Sequence, residues 1–226
     1  MTHIRLTLAL LLALSSGYAS ADVEEDGKIW SALFLQGDTG IEHLRWTVEF
    51  HTRQREEGSE NDTFIFRPSL NYALSPKLSV GAGYAFVETY PDGADDVQEH
   101  RLFQQVTYTH HQPDSFTLTS RSRLEERWRN QDSDQGYRLR QLIRATLPLQ
   151  PAPGFSLVLW DELFINLNET DWGARSGFDN NRAFMGLGYA FGQDYKLEIG
   201  YMNQYVRQNG DDRSNHILST TLQVDY

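Results

Sequence analysis

The sequence has no cysteine among its 226 residues. Disulfide bonds and thiolate metal sites are therefore excluded, and so is a lipid-modified cysteine after an export signal. The folded chain must be stabilised by hydrogen bonds and by side-chain packing.

Positive charge and long apolar runs are also scarce. Lysine and arginine together number 20 against 31 acidic residues, which gives a formal net charge of −11. This balance argues against nucleic acid as a partner. Beyond residue 21 the sequence has no apolar run of the ~20 residues that a transmembrane helix requires. A helical membrane protein is thus excluded, whereas a barrel with half-polar strands is not.

The first residues have the features of a cleaved signal peptide. Arg5 supplies a positive charge, an apolar stretch runs from Leu6 to Leu14, and Ala19-Ser20-Ala21 has the small residues that signal peptidase recognises. The pattern predicts a signal peptide over residues 1–21 and an exported domain over 22–226. A retained anchor is the alternative, although the apolar stretch is shorter than the ~20 residues of a membrane-spanning helix.

Apolar and polar residues alternate with a period of two after Asp22, as is typical of half-buried strands. Most of the alternating segments have ten or more residues, which suits tilted transmembrane strands of ~9–11 residues better than soluble strands of ~5–6. The segments are 28–36, 42–53, 63–74, 78–89, 98–110, 116–129, 137–148, 155–167, 179–191, 195–207 and 214–226.

Connections between these segments alternate between short turns and longer, acid-rich loops. Short turns are typical of the periplasmic end of outer-membrane barrels and long loops of the outer end. The sequence therefore predicts an all-β fold, an antiparallel transmembrane β-barrel of about 10–12 strands. The 28–36 segment makes the count odd, and a plug, a lumenal segment or half of an unresolved pair all remain open. A soluble β-sandwich is the alternative fold.

Two positions disturb the alternation. Pro68 lies on an outward face and cannot donate a hydrogen bond to a neighbouring strand. Asp161 falls on the outward face if Leu159 and Leu163 face lipid. We expect a β-bulge at Pro68 and another between Trp160 and Glu162.

Charged residues share the polar face of several segments. An arginine directed at lipid would cost ~2–4 kcal/mol near the bilayer midplane, so we expect these side chains to face inward. Small inward glycines such as Gly83 and Gly186 are expected to leave room for arginines across the lumen. The predicted lumen residues are Arg45, Glu49, Arg67, Glu99, Arg101, Arg121, Arg123, Glu125, Arg127, Arg138, Arg140, Arg144, Glu162, Arg182 and Glu198.

This charged interior has two interpretations. Arginine pairs well with carboxylates, so the residues can form a ladder that fills and braces a small barrel, or they can line a passage for small solutes. Alternatively, an excess of arginine favours an anion-selective channel. A barrel of this strand number is compatible with both.

The C-terminal residues resemble the signal that outer-membrane barrels present to their assembly machinery. Leu218, Leu222, Val224 and the terminal Tyr226 lie on one face. We therefore expect the assembly machinery, outer-membrane lipid and lipopolysaccharide as partners, and the bacterial outer membrane as the location. The oligomeric state is left open.

The sequence favours a protein that is not an enzyme and that needs no cofactor or metal. His110 and His111 are adjacent, so in a strand they point to opposite faces and cannot share a metal ion. An outer-membrane lipid-modifying enzyme is the alternative. Its candidate centre is His216, with Ser214 and Asn215 beside it.

Several stretches in a fixed order cover most of the exported domain. They are Glu99 to Leu102, Gln104-Gln105, Arg121 to Arg127, Tyr137 to Arg140, Asp161 to Phe164, Phe178 to Arg182, Gly200 to Tyr205 and Asn215-His216. Together they resemble the DUF2490 family of uncharacterised bacterial proteins. One departure is Asn180, where the family pattern has glutamine. The resemblance implies an exported, barrel-like protein, but no activity.

Overall fold

The computed structural model describes residues 24–55, 58–111, 116–208 and 211–226, with the backbone alone at 24–26 and 111. The predicted signal peptide lies outside the described residues. Within them, no helix is long and apolar enough to cross a membrane.

The described residues form eleven strands that close into one barrel. The strands are β1 (Glu24–Asp38), β2 (Leu44–Arg55), β3 (Glu60–Ser75), β4 (Leu78–Thr89), β5 (Val97–His111), β6 (Thr117–Arg129), β7 (Gly136–Pro148), β8 (Phe155–Asn166), β9 (Gly177–Phe191), β10 (Tyr195–Val206) and β11 (Arg213–Asp225). The count confirms the predicted 10–12 strands.

The barrel closes through a parallel pair. β1 runs beside β11 in the same direction, from Glu24 opposite Arg213 to Gln36 opposite Asp225, and all other neighbours are antiparallel. An odd number of up-and-down strands requires one such pair, because successive strands alternate in direction. The barrel is therefore mixed rather than wholly antiparallel. The 28–36 segment belongs to the wall and is not a plug.

The connections differ in length between the two rims. The C-terminal residue Tyr226 lies at the rim with the shorter connections, which we call the short-loop rim. The opposite, long-loop rim also carries the start of β1. Connections at the short-loop rim are 39–43, 76–77, 112–116, 149–154 and 192–194, and those at the long-loop rim are 56–59, 90–96, 130–135, 167–176 and 207–212.

Large apolar side chains cover the outer face of the wall. They alternate along each strand with inward residues, as the sequence pattern predicts. Exposed outward residues include Leu70, Leu102, Val106, Ile143, Leu159, Met185, Leu187, Ile199, Tyr201 and Leu218.

Neither of the two expected bulges is present. β3 and β4 keep one register from Phe66 opposite Phe86 to Ser69 opposite Gly83, and the ladder only omits pairs at Arg67 and Pro68. The cause is the missing N–H of proline, which removes a hydrogen bond without adding a residue.

Asp161 also lies in a regular part of its strand, opposite Ile143 and Ala183. It faces outward and is exposed, and the Asn181 side-chain amide donates to both of its carboxylate oxygens at 3.0 Å. The register of β8 against β9 shifts three residues later, between Phe164 and Ile165. A neighbouring amide, rather than a bulge, accommodates the outward carboxylate.

The inward glycines make room for aromatic rings rather than for arginines. A Cβ atom on Gly83 would lie 2.6 Å from the ring of Phe103. Gly186 and Gly200 pair directly across β9 and β10, and a Cβ on either would meet the ring of Phe184 at 2.5 or 2.7 Å. The glycines therefore let the wall curve tightly around inward phenylalanines.

Candidate functional site

The lumen holds the candidate site. Ten of the fifteen predicted lumen residues are buried, and Arg123 and Glu125 are each only 1% exposed. Arg101, Arg121, Arg144 and Arg182 are half-buried, and Arg45 lies at the short-loop rim. The ten buried residues are Glu49, Arg67, Glu99, Arg123, Glu125, Arg127, Arg138, Arg140, Glu162 and Glu198.

A continuous chain of ion pairs connects β6, β7 and β8. Glu125 accepts hydrogen bonds from Arg138 at 2.7 Å and from Arg140 at 2.7 Å. Arg140 also donates to Glu162 at 2.8 Å, and Glu162 accepts a further bond from Arg121 at 2.9 Å. Each glutamate thus lies between two arginines. Such charge-assisted bonds are the strong class of hydrogen bond in proteins.

Two further carboxylates organise the neighbouring wall. Glu99 on β5 accepts from Arg127 at 2.6 Å and from Arg101 at 2.7 Å. Glu49 on β2 accepts from Arg67 of β3 at 2.6 Å. Each of these two inward carboxylates therefore has an arginine partner on its own strand or on the adjacent strand.

Other pairs span several strands. Arg144 of β7 donates to Glu198 of β10. This bond connects two strands that lie three positions apart in the barrel wall. Arg45 of β2 pairs with Asp225 of β11 and so bridges β1 at the short-loop rim. These contacts reach past the adjacent strand and connect parts of the wall that are not direct neighbours.

Aromatic rings complete the packing of the interior, and the sequence interpretation missed them. The Arg123 guanidinium lies 4.2 Å from the ring centroid of Phe103. The Arg140 and Arg182 guanidinium groups lie 4.6 and 4.5 Å from the centroid of Phe164. The two-residue spacing of inward side chains could have predicted these rings in the lumen, because Phe103 lies two residues after Arg101 and Phe164 two residues after Glu162.

A tryptophan covers the charged network at the long-loop rim. Trp172, in the connection between β8 and β9, lies 4.8 Å from the Arg127 guanidinium and 4.4 Å from that of Arg129, measured to the ring centroid. Its indole N–H donates to the Asp134 carbonyl at 3.0 Å. The 167–176 connection is thereby fixed over the mouth of the lumen.

Side chains pack closely together inside the barrel at the level of this network. Arg123 and Glu125 are almost completely inaccessible, although they point to the centre of a barrel and not into a protein core. Guanidinium groups, carboxylates and rings from different strands meet there. The arrangement can brace the wall and hold a fixed pattern of charge.

His216, the centre of the alternative enzyme interpretation, lies on the outer face of β11. Its Nδ1 is 2.6 Å from the Tyr201 hydroxyl. The neighbouring Ser214 hydroxyl accepts a hydrogen bond from the Asn203 amide at 2.8 Å. A cavity of about 300 Å³ beside His216 is lined by Lys28, Ile29, Tyr201 and Leu218, among others.

The four C-terminal residues of the predicted assembly signal share the outer face. Leu218 is 52% and Tyr226 is 73% exposed, whereas Val224 is only 6% exposed and Leu222 is half-buried. The Tyr226 N–H donates to the Gln36 carbonyl at 2.8 Å. The end of the chain is thus attached to the strand that closes the barrel.

Solved structures similar in shape include two porins and an outer membrane secretin, all at low identity. An anion-selective porin from Comamonas acidovorans has a TM-score of 0.39 and 11% identity, and the match covers 82% of this chain but only 55% of the porin. A NanC porin has a TM-score of 0.48 and 13% identity, with coverage of 83% and 93%. A bacterial polysaccharide outer membrane secretin has a TM-score of 0.41 and 11% identity, with coverage of 78% and 73%.

Sequence comparison gives a much closer relationship. An uncharacterised protein of Methylorubrum extorquens is 38% identical over 228 residues, which cover 99% of both chains. The family model described as "Protein of unknown function (DUF2490)" matches residues 27–215. The chain therefore belongs to the DUF2490 family.

Proposed function

We propose that this protein is an exported outer-membrane β-barrel whose lumen is filled and braced by arginine–glutamate pairs. The observation that carries the proposal is the two-faced wall. Large apolar residues are exposed on its outside, and ten charged residues are buried on its inside.

The outer face supports a membrane environment. Met185, Leu187, Ile199 and Tyr201 are neighbours on β9 and β10 and are 46–58% exposed. Contiguous apolar surface of this kind is rare on soluble monomers. Lipid covers such a surface in barrels, whose backbone groups are all paired within the closed sheet.

We further propose that the short-loop rim faces the periplasm and the long-loop rim faces outward, as in other outer-membrane barrels. The surrounding partners are then outer-membrane lipid and lipopolysaccharide. Tyr226 and the apolar residues before it would engage the assembly machinery during insertion.

Cell fractionation and heat-modifiable gel mobility test the location and the fold together. We expect the protein in the outer-membrane fraction, with faster mobility before boiling than after it. A soluble periplasmic pool with one mobility would contradict the proposal.

An anion-selective channel is the second candidate, because the predicted lumen residues comprise ten arginines and five glutamates. Rings of arginine favour anions. The packed network favours a closed lumen, so we expect no steady conductance in planar bilayers. A steady conductance with an anion-selective reversal potential would instead support the channel.

We assign no reaction to the outer face. His216 bonds to a tyrosine hydroxyl, whereas an activated serine nucleophile would need the histidine as its base. A His216→Ala strain should show unchanged lipid A and phospholipid profiles, with the parent strain as the control. A specific change in either profile would favour the lipid-modifying enzyme.

A further inference from the structure

Three inward side chains near the long-loop rim have unused hydrogen-bonding capacity. They are Trp30 of β1, Arg53 of β2 and Arg182 of β9, which we call the Trp30 cluster. Trp30 is 9% exposed, and its indole Nε1 is buried without a hydrogen-bond partner. Among the described residues, neither arginine has a carboxylate within ion-pair distance.

The two arginines of the cluster contact the same ring. The guanidinium carbon of Arg53 lies 4.1 Å from the Trp30 centroid, and that of Arg182 lies 5.0 Å from it. Arg182 can also donate to the Gln204 side-chain oxygen at 3.2 and 3.3 Å, but this partner is neutral. Two like charges therefore share one ring inside the barrel, where their repulsion is weakly screened.

The described carboxylates that interact with these two arginines already serve other cations. Asp62, which interacts electrostatically with Arg53, is 3.6 Å from the ammonium group of Lys28. Glu162, which interacts with Arg182, bonds to Arg140 and Arg121. Among the residues that the structure describes, the Trp30 cluster therefore carries positive charge with no carboxylate of its own.

We propose that the Trp30 cluster binds a small oxyanion, a carboxylate or a phosphate, which enters from the long-loop rim. The planar fork of each guanidinium matches the paired oxygens of such groups, and the indole N–H supplies a further donor. Arg53 and Arg182 are half-buried, so part of each is accessible to a small solute. The inference rests on the proposed barrel and requires binding without passage through the packed network.

Indole resonances of the folded barrel provide a direct test. We expect the Trp30 N–H signal, identified by its loss in Trp30→Phe, to shift saturably when sodium phosphate or sodium acetate is added in low-salt buffer. Sodium chloride should produce a much weaker shift. Arg53→Gln and Arg182→Gln should each weaken binding about tenfold or more, since each removes a charged donor.

The matched control is Arg45→Gln, which changes an inward arginine at the opposite rim that already pairs with Asp225. Its affinity for phosphate should equal that of the wild type. Equal weakening in this control, or no saturable shift in the wild type, overturns the proposal. Binding of chloride as tightly as of phosphate overturns the assignment to oxyanions.

Two additional measurements keep the test decisive. Heat-modifiable mobility of the same samples reports the barrel itself, so a folded barrel that binds no anion contradicts only this inference. For variants that do not fold, the wild-type melting temperature is compared in phosphate and chloride at equal ionic strength. Phosphate should raise it, because a ligand stabilises the state that it binds, and an unchanged value overturns the inference.

Discussion

Arg140 donates three hydrogen bonds to Glu162, one from Nε at 3.1 Å and two from Nη2 at 2.8 and 2.9 Å. The two residues are 5% and 4% exposed. Burial of both charges carries a large desolvation cost, which only a well-formed pair with additional hydrogen bonds offsets. Breaking one side of the pair is therefore more harmful than removing both.

A double-mutant cycle on this pair measures that effect. Glu162→Gln alone should lower the free energy of unfolding by about 3–5 kcal/mol, because Arg140 and Arg121 lose a buried counter-charge. The Arg140→Gln/Glu162→Gln double variant should lose less than the sum of the single variants. Denaturant titration of the barrel in detergent provides the measurement.

The control for this cycle is the more accessible rim pair of Arg55 and Glu60, which are 3.1 Å apart and whose side chains are 15% and 46% exposed. Its coupling should be below about 1 kcal/mol, as for other surface pairs. Equal coupling in the two cycles would show that the buried network contributes no special stability.

Gly200 should not tolerate a side chain. A Cβ atom there would lie 2.4 Å from the Met185 carbonyl oxygen and 2.4 Å from the Gly186 Cα, both of them backbone atoms. Gly200→Ala should therefore cost about 1–3 kcal/mol, the usual range for overpacking. Gly188→Ala is the matched control, since its nearest neighbours include the movable Ser156 hydroxyl at 2.7 Å. A cost in the control as large as at Gly200 would contradict this explanation.

Asp212 in the last connection should contribute acid-sensitive stability. Hydrogen bonds from the Tyr205 hydroxyl and from the Gln208 N–H lower the pKa of its carboxyl group. Because the folded-state pKa lies below the ordinary value of about 3.9, the contribution is present above that pH and is lost as the pH falls through the folded value.

The pH dependence of unfolding checks this assignment. Asp212→Asn should flatten the loss of stability below about pH 4, and Tyr205→Phe should do so in part. Asp211→Asn, a change at the exposed neighbour, is the control. If the free energy of unfolding of Asp212→Asn fell as steeply below pH ~4 as that of the wild type, the assignment would be refuted.

Single cysteines can report the orientation of the rims, because the natural chain has none. Arg175 lies in a long-loop connection and Gln193 in a short-loop connection, and both are exposed. On intact cells, an impermeant maleimide should label Arg175→Cys. It should label Gln193→Cys only after the outer membrane is opened. The reverse pattern would invert the proposed orientation.

Strand positions and faces could be predicted from the sequence because alternation with a period of two is a local signal. The parallel closure could not, because the pairing of β1 with β11 depends on the number of strands and not on the composition of either. Asp161 shows the limit of reasoning from one strand. The amide that donates to its outward carboxylate belongs to Asn181, which lies twenty residues later in the chain and on the adjacent strand.

Inward charge was similarly predictable, whereas the identity of each partner was not. The polar face of β7 contains Arg138, Arg140 and Arg144, but they pair with carboxylates on β6, β8 and β10. Strand tilt and side-chain reach decide these pairings. The contact of Arg53 with Trp30 was missed for the same reason, since it required β1 to be a wall strand.

The parallel junction of β1 and β11 has a consequence for how the barrel is made. Every other neighbouring pair is joined by a connection that can bring its strands together as a hairpin, but these two strands lie at opposite ends of the chain. Contacts between distant segments form slowly, and a slip of one residue would turn every side chain of the strand to the wrong face. We therefore expect the ring to close last, with the bond between Gln36 and Asp225 at 2.8 Å helping to set the correct alignment.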